Sequence, residues 1–430
     1  MPRVKAWVRV LVMTLVAVVV LLVAAYFIQV AILERRLVAE ANAIIGAARP
    51  RPVHVDAPVP GTFGEALTLH LPALEEAGRA YTEDETAKEV LSAILRGERP
   101  LADVPTRVLT DLDQLSSALD GVLSATHAEQ ADLASVVDGF DPSPGTTGLG
   151  LQYAAALAGL RIRAAVAKGD AARAAAECMD GLALARDDGI AGGLVGRMVS
   201  AAIVDRLTFP CAEALTALPM SQRRKAVSRL RTLRDAIPGL DAMMREEAAW
   251  MQLMIHGPEL SPARLAELRP RPKLIAEDAR RNPNPRAKRI AYSIAWPFTR
   301  AKYRELAHAA TLPPAERDAT LDALPSGASW YAPGPSAFRR YFRRADSALQ
   351  ELDLVVLAVG AKTFREDHGA WPTTPAALVE AGLVTPAEQQ RAGAARFVPT
   401  ANGGLDLGLK LVRASDEDPE ERIVTVQIAP

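Results

Sequence analysis

Hydrophobic and polar positions follow different rules along this chain: an unbroken apolar run near the N-terminus, a long middle with helical recurrence, and an alternating tail. The unbroken run spans Val10 to Ile28. Thirteen of its nineteen residues are Val, Leu, Ile or Phe, none is charged, and Thr14 is its one aliphatic hydroxyl. As a helix it measures roughly 29 Å, about one bilayer hydrocarbon core, and its transfer into lipid is favoured by roughly 5 kcal/mol. Arg3, Lys5 and Arg9 precede the run, whereas Glu34, Arg35 and Arg36 follow it with little net charge. The positive-inside rule then predicts a cytoplasmic N-terminus and an exported remainder beyond Leu33. Trp7, Tyr26 and Phe27 stand where interfacial aromatics are expected. A cleaved signal peptide is the competing reading, but its apolar region is ordinarily about 7–15 residues long and ends at a small-x-small site. Here Ala24-Ala25 leads straight into further apolar residues, which favours an uncleaved, single-pass anchor.

Beyond the anchor a helix is expected to continue to Ile45. Gly46, the Arg49-Pro50-Arg51-Pro52 stretch, Pro58 and Pro60 then predict an extended spacer over 46–64, because a residue before proline is pushed towards extended backbone. From Glu65 to about Phe140 apolar residues recur at three- and four-residue intervals (Val90, Leu91, Ile94 and Leu95; Leu109, Leu112, Leu115 and Leu119), the pattern of amphipathic helices. A loop is expected at Asp141-Pro142-Ser143-Pro144-Gly145. Leu151, Leu157, Leu160, Ala164 and Val166 line one helix; Ala174, Cys178, Leu182 and Ala185 line the next. Between them Gly169 supplies a left-handed stop and Asp170 a cap, which predicts an αα-hairpin with an alanine seam. Next come a core helix from near Ile190, too charged at Arg197 and Asp205 for a second span, and a helix pair over 221–250 broken at Pro238-Gly239.

After a Pro/Gly/Ser loop at Leu324–Ser336, a helix is expected from about Ala337 to Asp367, with Leu352–Ala361 apolar nearly all round and therefore buried on several sides. The tail changes period: Leu405, Leu407, Leu409 and Leu411 alternate and Ile423–Ile428 is β-rich, with turns at Asn402-Gly403-Gly404 and Asp416–Glu421. The expected architecture is mainly α. It comprises a cytoplasmic stub and transmembrane helix (1–33), a juxtamembrane helix and Pro-rich spacer (34–64), a helical-bundle domain (65–335) and a small α+β domain (336–430).

The stretch AVGAKTFREDHGAWPTTPAALVEAGLV is similar to the segment after the long helix in type II secretion pseudopilins. The shared features are Asp367-His368-Gly369, Trp371-Pro372 and the short helix Pro375–Leu383, and they make the last domain pilin-like. The hairpin around Gly169-Asp170 resembles one tetratricopeptide-type unit, without a second copy at that period. Taken together, the anchor, the Ala-rich KGDAARAAAECMDGLALARD region and the C-terminal segment resemble a group of uncharacterised bacterial membrane-anchored envelope proteins. Two features depart from secretion pseudopilins: the similar segment is C-terminal, away from the membrane helix, and no prepilin cleavage signature surrounds the anchor.

Charge and composition narrow the function. The net charge of −1 gives no global pull on nucleic acid. Between Arg269 and Arg304 eleven Lys/Arg face only Glu277 and Asp278. With Tyr292, Trp296, Phe298 and Tyr303 this stretch reads either as a solvated face with inward aromatics or as a contact for anionic headgroups. Cys178 and Cys211 read as small buried hydrophobes or, in an exported domain, as a disulfide. His54, His70, His127, His256, His308 and His368 are scattered, with no helix-spaced metal pair and no H-E-x-x-H. Gly145, Gly148 and Gly150 fail the dinucleotide order, and neither G-x-S-x-G nor S-x-x-K occurs. Asp367-His368 beside Trp371 is the best acid/base pair, although a capped helix end explains it equally. The Glu83-Asp84-Glu85 cluster suits a helix N-terminus. No catalytic, cofactor-binding or metal-ligating residue is therefore assigned, and no cofactor is expected. The expected role is a periplasmic binding or scaffold protein on the bacterial inner membrane, with the bilayer and an envelope protein as partners. An accessory part of a secretion or pilus machine and a hydrolase without a recognisable motif are the alternatives.

Overall fold

The computed structural model describes residues 2–44, 53–130, 144–191, 193–256, 260, 262–268, 300–324, 334–393, 395–414 and 419–429. These residues are mainly helical, with a small antiparallel sheet at the C-terminal end. They form two compact units: 1–47 with 248–302, and 48–247 with 303–430.

In the first unit, α1 (Pro2–Ile44) carries the apolar run without a break. Leu11, Leu15, Leu21 and Phe27 are each more than half exposed, so nothing among the described residues covers them. Over Leu11–Ile44 this helix is long and apolar enough to cross a membrane. Its last turns are covered. Leu37, Val38 and Ala41 pack with Leu253, Leu260 and Leu268, flanked by Leu33, Trp250 and Leu265. Asn42 Nδ2 donates to the Glu267 carbonyl at 2.8 Å, and Arg300 pairs with Glu40. Most of the basic stretch, with Tyr292, Trp296 and Phe298, lies outside the described residues.

In the second unit, α2 (Phe63–Thr82), α3 (Glu85–Leu95), α4 (Thr106–Gln114) and α5 (Ser116–Ala125) precede the hairpin α6 (Pro144–Ala167) and α7 (Ala171–Ala191), then α8 (Gly193–Ala217) and α9 (Met220–Asp235). The hairpin turns as its residues predict. Gly169 adopts φ +78°, and the Asp170 carboxylate accepts the Arg173 backbone N–H at 3.1 Å. Alanines at 154, 155, 156 and 158 on α6, at 174, 183 and 185 on α7, and at 201, 202 and 212 on α8 are buried. Small side chains let these three helices approach closely, and Cys178 on α7 is disulfide-bonded to Cys211 on α8, with Cα atoms 5.3 Å apart. Of the two readings the cysteines allowed, the structure adopts the bridge.

Helix α10 (Leu240–His256), α11 (Pro262–Glu267), α12 (residues 300–311) and α13 (Pro314–Ala323) lead to α14 (Pro335–His368). Every residue from Leu352 to Ala361 on α14 is buried, as its all-round apolarity predicts. One side meets α8; the other meets the sheet β3 (Arg396–Pro399), β4 (Leu405–Ala414) and β5 (Pro419–Ile428), reached through α15 (Pro375–Glu380) and α16 (Pro386–Ala392). The sheet is antiparallel in the order β3-β4-β5. Its register opposes Leu405 to Ile428, Leu407 to Val426 and Leu409 to Val424, and all six are buried on one face.

Four expectations give way. Residues 46–64 are not a spacer throughout: Val59–Thr62 forms β1, which pairs in parallel with β2 (Ala128–Gln130), and α2 begins at Phe63 with a Thr62/Glu65 capping box. Fully buried Phe63 supplies the reason, since it fastens the helix start to the core. Helix α6 starts at Pro144 inside the expected loop, because proline is preorganised for a first helical turn; residues 141–143 lie outside the described residues. The acidic stretch from residue 419 onward belongs to β5 rather than to a turn. The core also crosses the boundary expected at 335: one apolar cluster runs from Phe63 to Ile428.

Candidate functional site

The site grows from the segment that proline content had marked as spacer. The Val59 N–H donates to the His127 carbonyl at 3.0 Å, and Val59 stands opposite Ala128 in the short parallel ladder. This pairing brings the chain around His54 alongside the turn after α5, where the His127 N–H donates to the Ser124 carbonyl at 2.9 Å. Asp56 adds a second fastening, its carboxylate 3.1 Å from Arg229 on α9.

His54 and His127 then converge on α7. His54 Nε2 lies 2.5 Å and His127 Nε2 3.0 Å from the same Asp180 oxygen, Oδ1. The two imidazoles meet edge to face, with centroids 5.2 Å apart. The His54 side chain is 4% exposed, those of His127 and Asp180 about a quarter. Burial acts to raise the Asp180 pKa. Hydrogen bonds from His127 and His54, with the charge those rings carry when protonated, outweigh it and hold the carboxyl below its ordinary value. Among the described residues this is the one trio of His, Cys, Asp or Glu whose ligand atoms all lie within 4.8 Å of one another.

All three side chains line a cleft of about 470 Å³. Ala172, Ala175, Ala176 and Met179 of α7 form its apolar wall, and Ser221, Gln222, Lys225 and Arg229 of α9 form a polar and basic one. Lys225 and Arg229 supply the positive charge of the polar wall, and Arg229 is paired there with Asp56. No helical or short-range spacing announces the trio, because Asp180 is 126 residues from His54 and 53 from His127.

The sites that local patterns suggested have structural roles. His368 is exposed, stacks on Phe364 at 4.1 Å and donates from Nδ1 to the Phe364 carbonyl at 3.0 Å. Trp371 Nε1 donates to the Gly403 carbonyl at 3.0 Å beneath Arg365, and Gly369 closes α14 in the left-handed region. These contacts finish a helix. Asp84 caps α3 by accepting the Ala87 N–H at 3.0 Å, while Glu85 pairs with Lys88. Tyr303 is buried and meets Phe338 edge to face, so it packs inward as the first reading of the basic stretch has it. Arg186 and Asp187 form a fully buried pair at 2.6 Å. Beside them burial, and then the Asp187 charge, hold Asp188 well above the ordinary carboxylate range.

No protein-family model, curated protein or solved structure matches this chain.

Proposed function

We propose that this chain is a membrane-anchored binding protein of the bacterial envelope, with its N-terminus in the cytoplasm and its helical body in the periplasm. The observation that carries this reading is α1: the described side chains from Leu11 to Val23 are exposed, as are Phe27 and Ile28, while its last turns pack on the chain's own hydrophobic cluster. Lipid supplies the missing cover. The charge bias of Arg3, Lys5 and Arg9 sets the direction. The Cys178–Cys211 disulfide supports the same side, since such bonds persist in oxidising compartments. The work of the body is binding, in the cleft and at an envelope protein partner. An alkaline phosphatase fused after residue 430 should be active in intact cells, and the full-length chain should fractionate with inner membranes. An inactive phosphatase paired with an active cytosolic reporter at the same position overturns the topology.

A second reading, an accessory of a secretion or pilus machine, is favoured by α14 followed by Trp371-Pro372, short helices and an antiparallel sheet. Because that sheet shares its core with the bundle, truncation at 337 would damage the whole body. Removal of the entire chain is the clean test, and unchanged export and piliation would eliminate this reading.

A further inference from the structure

Three lone-pair donors from distant parts of the chain meet in one place, and one ring nitrogen among them is left without a hydrogen-bond partner. Asp180 Oδ1 takes both imidazole Nε2 atoms, yet Nδ1 of His54 is buried with no hydrogen-bond partner. Leaving such an atom unmatched costs about 1–3 kcal/mol. The chain also commits the Asp56–Arg229 pair, the parallel β1–β2 ladder and an α7 carboxylate to bringing these groups together. A cleft wall needing only to be filled would use apolar side chains there, as α7 does at Ala172, Ala175 and Met179.

We propose that His54, His127 and Asp180 bind one divalent transition-metal ion of the zinc class, with an open coordination position facing the cleft. Two imidazoles and one carboxylate form a borderline donor set that suits zinc, cobalt and nickel rather than calcium or magnesium, which prefer all-oxygen sites. Three protein ligands leave a fourth tetrahedral position, the arrangement of sites that exchange water or bind an exogenous ligand. All three donors line the cleft, and Lys225 on the facing wall favours an anionic oxygen donor as the exchangeable ligand, Arg229 being held there by Asp56. The ion also replaces hydrogen bonds to Asp180 as the tie between the 53–58 segment and α7.

The test uses the full-length chain in detergent micelles. Zinc titration by calorimetry should give one equivalent per chain. Cobalt titration should give the absorption bands of a tetrahedral or five-coordinate ion, and these should shift on adding acetate. Affinity should fall roughly 100-fold in His127→Ala and in Asp180→Asn, whose side chains are partly exposed. An intact Cys178–Cys211 bridge and an unchanged circular dichroism spectrum show that each variant is folded. Absence of a cobalt spectrum, or zinc binding that survives both substitutions, overturns the proposal and leaves the trio as a hydrogen-bonded clamp. These readouts do not depend on membrane topology, so failure here is separable from failure of the envelope reading.

Discussion

Replacing Glu388 by Gln perturbs one carboxylate that ties α16 to α9. Glu388 on α16 has no exposed surface. It accepts Nε and a second nitrogen of Arg231 at 2.7 and 2.8 Å, Arg234 at 3.0 Å and the Thr385 backbone N–H at 2.8 Å. Glutamine keeps the volume but removes the charge and points an NH₂ at two guanidinium groups. Breaking a buried ion pair from one side costs about 3–5 kcal/mol; Arg234 retains Asp353 at 2.5 Å, which limits the loss. Titration supplies an independent bound. Burial acts to raise the Glu388 value, and the Arg231 and Thr385 hydrogen bonds outweigh it, bringing the carboxyl from 4.5 down to about 2. That difference corresponds to at most about 3–4 kcal/mol, and screening at the 31% exposed Arg231 reduces it. The two routes meet at about 2–3 kcal/mol. The sign is fixed by linkage: a depressed carboxyl contributes stability that is complete above pH 4.5 and vanishes as pH falls through about 2. Thermal unfolding of the full-length chain in micelles, followed by near-UV circular dichroism, should place Glu388→Gln several degrees below wild type at pH 7. The deficit should shrink by roughly half at pH 3. A deficit that is equal at the two pH values, or absent at pH 7, refutes the electrostatic account.

Further outcomes follow from individual contacts. Replacing Cys178 and Cys211 together by Ser opens a loop of 33 residues in sequence and should cost roughly 3–4 kcal/mol; alkylation of wild type should require prior reduction, and free thiols in freshly isolated membranes would contradict the bridge. Gly97 holds φ +75°, and a Cβ there would fall 2.2 Å from the Phe209 ring. Gly97→Ala should therefore destabilise by about 2–4 kcal/mol through backbone strain and the clash, and a melting temperature unchanged from wild type would count against this geometry. Tyr153 donates its hydroxyl to Asp111 and stacks on Tyr81 at 4.9 Å. Tyr153→Phe should keep the stacking and lose about 1–3 kcal/mol in urea denaturation, the range for a hydrogen bond to a charged group.

Much of the helical layout is legible residue by residue because helices report on themselves. The α6–α7 turn needs only Gly169 and Asp170, both within the local chain, and the buried centre of α14 follows from the apolarity of Leu352–Ala361. Alternation in Leu405–Leu411 marks β4 for the same reason: a strand with one buried face repeats every second residue. Strands β1 and β2 escape this reading. With four and three residues they are too short for any period to register, and their pairing is long-range. The charged joint around Glu388 is hidden too, since its Arg231, Arg234 and Asp353 partners lie on α9 and α14 and look like ordinary surface charges in the sequence.

By itself the sequence determined the membrane-competent rod, the alanine seam and the change of period at the tail. Those are properties of neighbouring residues facing lipid, a helix or a sheet. Only the tertiary structure decided that a proline-rich connector delivers His54 to His127 and Asp180, and that Cys178 meets Cys211. Such meetings depend on which faces of distant elements pack together, and no local repeat carries that information.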